Sequence, residues 1–428
     1  MKKLILASAV KGELPAPPSK SDAQRAIISA FLSTGRSRIA RLSPCDDTLA
    51  ALRLVAALGA TVRRIPEGYA ITSIFPKLPP APRVLQCGES GLLARMIAPV
   101  VALFPGETRL EGSGTLLGRP IDMIVEPLRA LGATVTTNDG RLPVTITGPL
   151  TGGEALIDGS VSSQLLTGLL MALPLAAKRS TLVVPELVSQ PYIDLTREVI
   201  REFGVKIIHD DYHHFTIPTP QKYTPCAHRV AGDWSGASCL LVAGAIAGVT
   251  TVTDLDENSP QADKAILTAL RSSGARVFVS PPRPDARGSV TVVKPKRLKP
   301  FSFDATECPD LFPALVALAA RCGGNSRLLG VRRLVHKESD RAAALKEEYA
   351  RLGISVKYDD NLMIVRGGPV EGGEVSSRGD HRVAMSLATV ALNALSPVTI
   401  NDADCVSKSY PGFWDDLQIL QEGKPIVG

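Results

Sequence analysis

Leu128-Arg129-Ala130-Leu131-Gly132-Ala133-Thr134-Val135 reads as the end of an amphipathic helix, a glycine stop and the start of a β-branched strand. The same punctuation occurs at Leu54 to Val62 in the looser form Leu-Val-Ala-Ala-Leu-Gly-Ala-Thr-Val. Variants end at Phe203-Gly204-Val205, at Ser273-Gly274-Ala275-Arg276-Val277 and at Leu352-Gly353-Ile354-Ser355-Val356. Recurrence of this kind marks a repeated supersecondary unit. Between the copies lie longer helices, apolar on nearly every side, predicted over 21–32, 90–103, 162–177, 235–247, 310–320 and 381–395. A helix apolar all round has to be buried all round. Their starts are about 70 residues apart, so six units account for the chain. The arithmetic predicts an α/β fold of two lobes, three units each, with the apolar helices inside and short sheets and amphipathic helices outside.

The least repeat-like stretch is 208–229, which carries Pro218, Pro220 and Pro225, and the lobe boundary is placed there. The strand before Pro15 is expected to pair with the second lobe. The expected domains are therefore 16–222 and 1–15 plus 223–428, joined by a double-strand hinge near 13–17 and 216–229.

Composition narrows the class. With 428 residues, 45% hydrophobic and 21% charged, the chain is long enough for proper cores and too apolar for disorder. A net charge of +6 suits small anions as well as nucleic acid. Aromatics are only 4%, and the densest basic run, Lys294-Pro295-Lys296-Arg297-Leu298-Lys299, has none interleaved. It reads as a solvated connection, and no nucleic-acid partner is expected. The seven cysteines show no CxxC spacing, which predicts reduced thiols in a cytoplasmic protein. Leu4 to Val10 is too short to span a bilayer, lacks a cleavage site and reads as a strand, so no membrane partner is expected. His209-Asp210-Asp211-Tyr212-His213-His214 has no dependable ligand spacing and reads as a polar turn between strands, with no metal expected.

Polar and charged residues gather at the helix starts. Pro17-Pro18-Ser19-Lys20-Ser21-Asp22-Ala23-Gln24-Arg25 opens the first apolar helix, and Cys87-Gly88-Glu89-Ser90-Gly91, with Arg95, opens the second. Gly118-Arg119-Pro120, Ser162-Ser163-Gln164 and Ser189-Gln190-Pro191-Tyr192 follow. Cys308-Pro309-Asp310, His336-Lys337-Glu338-Ser339-Asp340-Arg341, Arg378-Gly379-Asp380-His381-Arg382 and Ser407-Lys408-Ser409-Tyr410-Pro411 complete the series. Any one cluster is explained by capping. Several that bear cations, spread over both predicted lobes, point instead to an anion trap at helix N-termini.

Taken in chain order, these motifs resemble the 5-enolpyruvylshikimate-3-phosphate synthase family over essentially the whole sequence. The resemblance implies a two-lobed inside-out α/β barrel, each lobe three repeats of a βαβαββ-type unit with buried parallel helices. It implies transfer of the enolpyruvyl group of phosphoenolpyruvate to the 5-hydroxyl of shikimate 3-phosphate, with release of phosphate and no cofactor. A monomer is expected, with these two small molecules as its partners. By the same resemblance Ser21, Arg25, Ser162, Ser163, Gln164, Ser189, Tyr192, Asp310 and Lys337 hold shikimate 3-phosphate. Lys20, Gly91, Arg119, Gln164, Arg341, Arg382 and Lys408 hold phosphoenolpyruvate. Asp310 and Glu338 form the acid–base pair, and Lys20 with Lys408 assists departure of phosphate. Two phosphates of about −1.5 to −2 each, plus two carboxylates, call for such a set of cations.

The sequence departs from the family pattern in places. Where a Gly-Asn-(small)-Gly-Thr loop is usual, this chain has Gly88-Glu89-Ser90-Gly91-Leu92, and Arg333 stands where Asn is common. A carboxylate beside a bound phosphate is unfavourable unless Glu89 turns away or pairs with a cation such as Arg95. Arg333 either adds a phosphate contact or faces solvent. Two rivals remain: UDP-N-acetylglucosamine enolpyruvyl transferase, and a non-catalytic anion-binding homologue. Against the first, Ser113-Gly114-Thr115-Leu116-Leu117-Gly118 carries no cysteine, and Ser21 follows Lys20 where that enzyme has Asn.

Overall fold

The computed structural model describes residues 1–283, 288–335 and 337–423. His336, part of one of the clusters above, lies outside the described residues. The chain divides into two compact units, Lys20–Val230 and Met1–Ser19 with Ala231–Gly428.

In the unit Lys20–Val230 the helices are α1 (Lys20–Leu32), α2 (Asp46–Ala57), α3 (Gly91–Ala102), α4 (Val125–Ala130), α5 (Gln164–Ala172) and α6 (Gln190–Glu202). One four-stranded sheet runs Arg83–Gln86, Gly106–Glu111, Arg141–Gly148, Thr134–Asn138, the first pair parallel and the others antiparallel. A second runs Glu154–Leu156, Ser180–Val183, His214–Ile217, Ile208–Asp210 in the same pattern. The third is Ala227–Arg229, Gly35–Ala40, Gly68–Ser73, Thr61–Ile65.

The other unit carries α7 (Trp234–Ala247), α8 (Ile266–Ser272), α9 (Phe312–Ala320), α10 (Arg341–Arg351), α11 (His381–Ala391) and α12 (Phe413–Glu422). Its sheets are Val10–Pro15, Gly248–Thr253, Ser289–Val293, Arg276–Ser280 and Ser302–Asp304, Gly324–Leu329, Leu362–Gly367, Ser355–Asp359. A three-stranded sheet joins Gly373–Ser376, Val398–Asn401 and Lys3–Ile5. Strand, helix, strand, helix, strand, strand is thus the order within a complete repeat.

The sheets are separate, mixed and open rather than closed barrels. Each four-stranded sheet ends in an antiparallel hairpin edge, and among the described residues no hydrogen-bonded ladder joins one sheet to the next. Two strands are exchanged. Val10–Pro15 precedes α1 but pairs with Gly248–Thr253, whereas Ala227–Arg229 precedes α7 but pairs with Gly35–Ala40.

Burial separates the two helix types as patterning requires. Every residue of α7 and α9 is buried. By contrast α6 buries only the face of Ile193, Leu195, Thr196, Val199 and Ile200. Within one unit α3 packs on α5, and α1 on α2 and α6; within the other α7, α9 and α11 pack together. The glycine after each amphipathic helix has the left-handed backbone that stops a helix: φ is +98° at Gly59, +103° at Gly132, +87° at Gly204 and Gly274, and +78° at Gly353.

The apolar helices are shorter than their apolar runs. Ser162 and Ser163 precede α5, because the Ser162 hydroxyl accepts from the Gln164 N–H in a turn of its own. The same helix tightens into a 3₁₀ turn at Leu173–Leu175, where Pro174 cannot donate. The segment 209–214 is the turn of a hairpin, with His209 stacked on Phe215 at 5.5 Å. Phe413 packs edge-on against Tyr410 and Trp414, so these aromatics are core. No helix among the described residues is long and apolar enough to cross a membrane.

Candidate functional site

The predicted residues fall into clusters within each unit. In Lys20–Val230 the first turn of α1 is the centre. Lys20 Nζ lies 3.1 Å from Asp47 Oδ2 in the first turn of α2, with Asp47 only 5% exposed. Gln24 Nε2 donates to the Asp47 carbonyl at 3.0 Å and to Ser90 Oγ at 2.8 Å, tying α1 to the first turn of α2 and to the N-cap of α3. Ser90 caps α3 by accepting from the Leu93 N–H.

Arg25, one turn further, is buried and grips four neutral oxygens. It donates to Thr196 Oγ1 at 2.9 Å, the Ser21 carbonyl at 2.7 Å, and Thr167 Oγ1 and the Tyr192 carbonyl at 3.3 Å each. Burial lowers its pKa to about 10, so it remains a cation at neutral pH. Asp22, an α1 neighbour of opposite charge, is bound elsewhere: its Oδ1 accepts from His228 Nε2 at 2.8 Å. His228 Nδ1 donates to Glu202 Oε2 at 2.7 Å, which makes the ring an imidazolium. Burial opposes that charge, yet the two carboxylate hydrogen bonds push its pKa up to about 10. Ser189, the N-cap of α6, is left-handed at φ +59° and ψ +41°.

A second group surrounds the start of α3. Arg95 donates to Gln164 Oε1 at 2.7 Å and to the Pro120 carbonyl at 2.5 Å. A Cβ on Gly91 would come within 2.9 Å of the guanidinium nitrogens of both Arg95 and Arg119, so a side chain there would displace them from their present positions. Glu89 turns to the segment before Arg119: its Oε2 accepts from the Thr115 N–H at 3.2 Å and from the Thr115 hydroxyl at 2.9 Å.

In the other unit Arg341 is fully buried at the start of α10 and holds three carboxylates. Its Nε lies 2.9 Å from Asp380, one terminal nitrogen 3.0 Å from Asp310, and the other 2.7 Å from Glu338. Asp310, at the turn before α9, also meets Lys337 at 3.2 Å and Arg382 at 3.3 Å. Burial lowers the Lys337 pKa, and Asp310 acts against that. Asp380 caps α11 by accepting from the Arg382 N–H. Lys408 is buried at the end of the 3₁₀ turn Ala403–Lys408, which packs on α11.

The structure therefore gathers Asp310, Lys337, Glu338, Arg341 and Arg382 in one unit, with Lys408 on a segment that packs on the helix bearing Arg382. In the other it gathers Ser21, Arg25 and Tyr192, and separately Gly91, Arg119 and Gln164. Lys20 is on Asp47, and Ser162, Ser163 and Ser189 stand at helix starts. Glu89 meets Thr115 through two hydrogen bonds, and Arg333 donates to the Thr306 carbonyl at 2.8 Å. Asp47, Arg95, Thr167, Thr196 and Asp380 join the predicted set. Arg95 and Asp380 stood in the quoted clusters, whereas Asp263 was not foreseen: it is buried, bonded to the Ser235 hydroxyl, and has its pKa raised to about 7 by burial and by Asp310.

Repeats of this form, with cation-bearing helix starts and carboxylates gathered on a buried guanidinium, fit an enzyme of the enolpyruvyl transferase class. The family model for EPSP synthase (3-phosphoshikimate 1-carboxyvinyltransferase) matches residues 6–417, and the chain belongs to that family. A 3-phosphoshikimate 1-carboxyvinyltransferase of Methanocorpusculum labreanum is 37% identical over 428 residues, covering 98% of each chain. One from Clostridium perfringens is 36% identical over 423 residues, again 98% of each. An EPSP synthase structure from Acinetobacter baumannii matches with a TM-score of 0.84 at 25% identity, over 98% of each chain.

Proposed function

We propose that the chain transfers the enolpyruvyl group of phosphoenolpyruvate to the 5-hydroxyl of shikimate 3-phosphate, releasing phosphate in the route to aromatic amino acids. The family and its full-length relatives support this reaction over the UDP-N-acetylglucosamine alternative and over a non-catalytic homologue. What carries the assignment of roles is the pair of carboxylates, Asp310 and Glu338, held by one buried guanidinium.

Asp310 accepts the proton of the 5-hydroxyl as its oxygen attacks C2 of phosphoenolpyruvate. Glu338 protonates the methylene carbon, giving a tetrahedral adduct. Loss of phosphate, assisted by Lys20 and Lys408, and return of one methyl proton restore the double bond. Each positioned acid or base contributes about 10²–10⁴-fold, and the fixed cations stabilise the developing charge. Arg25, Ser21, Ser162, Ser163, Gln164, Ser189, Tyr192, Asp310 and Lys337 bind shikimate 3-phosphate. Gly91 leaves space for Arg119, which with Lys20, Gln164, Arg341, Arg382 and Lys408 binds phosphoenolpyruvate. In binding it, Arg341 exchanges part of its carboxylate contacts for the substrate.

The finer architecture belongs to the same proposal: inside-out barrels with parallel buried helices, and the two crossovers near 13–17 and 216–229 as a double-strand hinge. So do a cytoplasmic, monomeric state and a route that uses only side chains and the two substrates. The test is release of phosphate from shikimate 3-phosphate plus phosphoenolpyruvate. Glu338→Gln is expected to lower kcat by about 10²–10⁴-fold with little change in shikimate 3-phosphate affinity. Near-normal turnover in that variant removes Glu338 from the chemistry.

A further inference from the structure

The turn Gly88–Gly91 touches the Arg119 segment twice. At one end Glu89 accepts two hydrogen bonds from Thr115, through its N–H at 3.2 Å and its hydroxyl at 2.9 Å. The Gly88 carbonyl adds a third tie, accepting from the Ser113 N–H at 2.8 Å. At the other end Gly91 leaves the space into which the Arg119 guanidinium reaches. Between these ends the chain is wound into the 3₁₀ turn Gly114–Gly118, and the Arg119 N–H is bonded to the Leu116 carbonyl at 3.1 Å. Beyond Arg119, the Pro120 carbonyl is fixed by Arg95 at 2.5 Å. Arg119 is thus suspended between two anchors, one made by a carboxylate and one by a guanidinium.

We propose that Glu89 is a positioning residue: with Thr115 it forms a clamp that sets where Arg119 stands, and so sets the affinity for phosphoenolpyruvate. This rests on the reading of Arg119 as a phosphoenolpyruvate ligand. Glu89 itself is not a ligand of the substrate, because its carboxylate would repel a phosphate. Bonding to the N–H and hydroxyl of Thr115 occupies that charge on the loop. Gly114 fits the same arrangement. A Cβ there would stand 2.3 Å from Glu89 Oε1, so any side chain at Gly114 displaces the clamp.

The clamp predicts a pattern across variants. Glu89→Ala, which removes both bonds, is expected to raise KM for phosphoenolpyruvate about tenfold, the scale of a hydrogen bond to a charged group, and Thr115→Val, which keeps the backbone N–H bond, to raise it by less. KM for shikimate 3-phosphate is expected to stay within twofold. The double variant is expected to be no worse than Glu89→Ala alone, since that change already removes both bonds of the clamp. Glu89→Gln keeps an oxygen acceptor and Thr115→Ser keeps both donors, so both should stay close to the wild type. A general loss of structure would raise both KM values together, and it would not be rescued by Gln or Ser.

Binding of phosphoenolpyruvate alone, followed by calorimetry in the same proteins, separates this inference from the reaction it rests on. An inactive wild type whose phosphoenolpyruvate affinity still follows the clamp leaves the inference standing and sinks the reaction. An active wild type with unchanged phosphoenolpyruvate KM in Glu89→Ala overturns the clamp. So does a lowered KM in both Glu89→Ala and Glu89→Gln, which makes the carboxylate a source of repulsion and not an anchor.

Discussion

Arg25 and Arg341 are both buried guanidinium groups near the start of a helix, and they are held in opposite ways. Arg25 donates to two threonine hydroxyls and two carbonyls, and burial lowers its pKa to about 10. Arg341 is bound to Asp310, Glu338 and Asp380, and these carboxylates overcome burial and raise its pKa. A buried cation held by neutral oxygens keeps its field for an incoming anion. One surrounded by carboxylates has its field neutralised and serves instead to fix those carboxylates in place. The first suits binding of a phosphate, the second suits proton transfer.

The comparison is open to direct attack. The largest stability effect is expected for Arg341→Met, which leaves three carboxylates without their shared partner and costs about 3–5 kcal/mol in urea unfolding. Next is His228→Gln, at about 2–4 kcal/mol near neutral pH, reduced because Glu202 is half exposed. Below about pH 6.5 the ring is charged folded or unfolded, and its ion-pair stabilisation is complete. Above that the unfolded chain gives up a proton that the folded protein keeps, so the stabilisation is lost as pH rises towards about 10. The gap between wild type and His228→Gln should therefore close with alkali. The same variant releases Asp22, three residues from Arg25, and is expected to raise KM for shikimate 3-phosphate.

A smaller stability loss, about 1–2 kcal/mol, is expected for Arg25→Met, because an apolar group replaces a desolvated cation with neutral partners. Its KM for shikimate 3-phosphate should rise instead, by about 100-fold for a charge-assisted contact. If Arg25→Met unfolds as readily as Arg341→Met, the two arginines do not differ in the way described. The last effect is a pH dependence, at Asp263. Its raised pKa means the folded protein keeps a proton that the unfolded chain loses between about pH 4 and about pH 7, so stability falls across that window. Asp263→Asn should flatten this slope in thermal or urea unfolding followed between about pH 4 and about pH 7.

The legible parts of the sequence were those written locally. A glycine that needs a left-handed backbone after an amphipathic helix, followed by β-branched residues, marks one repeat wherever it falls. Runs such as Leu311 to Ala320 can only be interior. The clusters of the candidate site were legible through motif order, since Lys337, Glu338 and Arg341 share one short stretch. The partners that set their behaviour were not. Thr167 and Thr196 reach Arg25 from 142 and 171 residues away, each one helical turn beyond a motif residue, Gln164 or Tyr192, but in no motif themselves. Glu89 was visible as a departure, but its direction depended on Thr115, 26 residues on. Asp263 sits in no motif, and only burial beside Ser235 makes it unusual.

The exchange of strands leaves its mark on synthesis. Val10–Pro15 leaves the ribosome early, yet its partner Gly248–Thr253 is made more than 230 residues later. At about 5–20 residues per second that is a wait of roughly 12–46 s. Meanwhile Lys20–Val230 contains every strand its three sheets require. The inserted portion is complete first, while the opening β-strand trails as an unpaired ribbon, exposed to chaperones and proteases until the rest arrives.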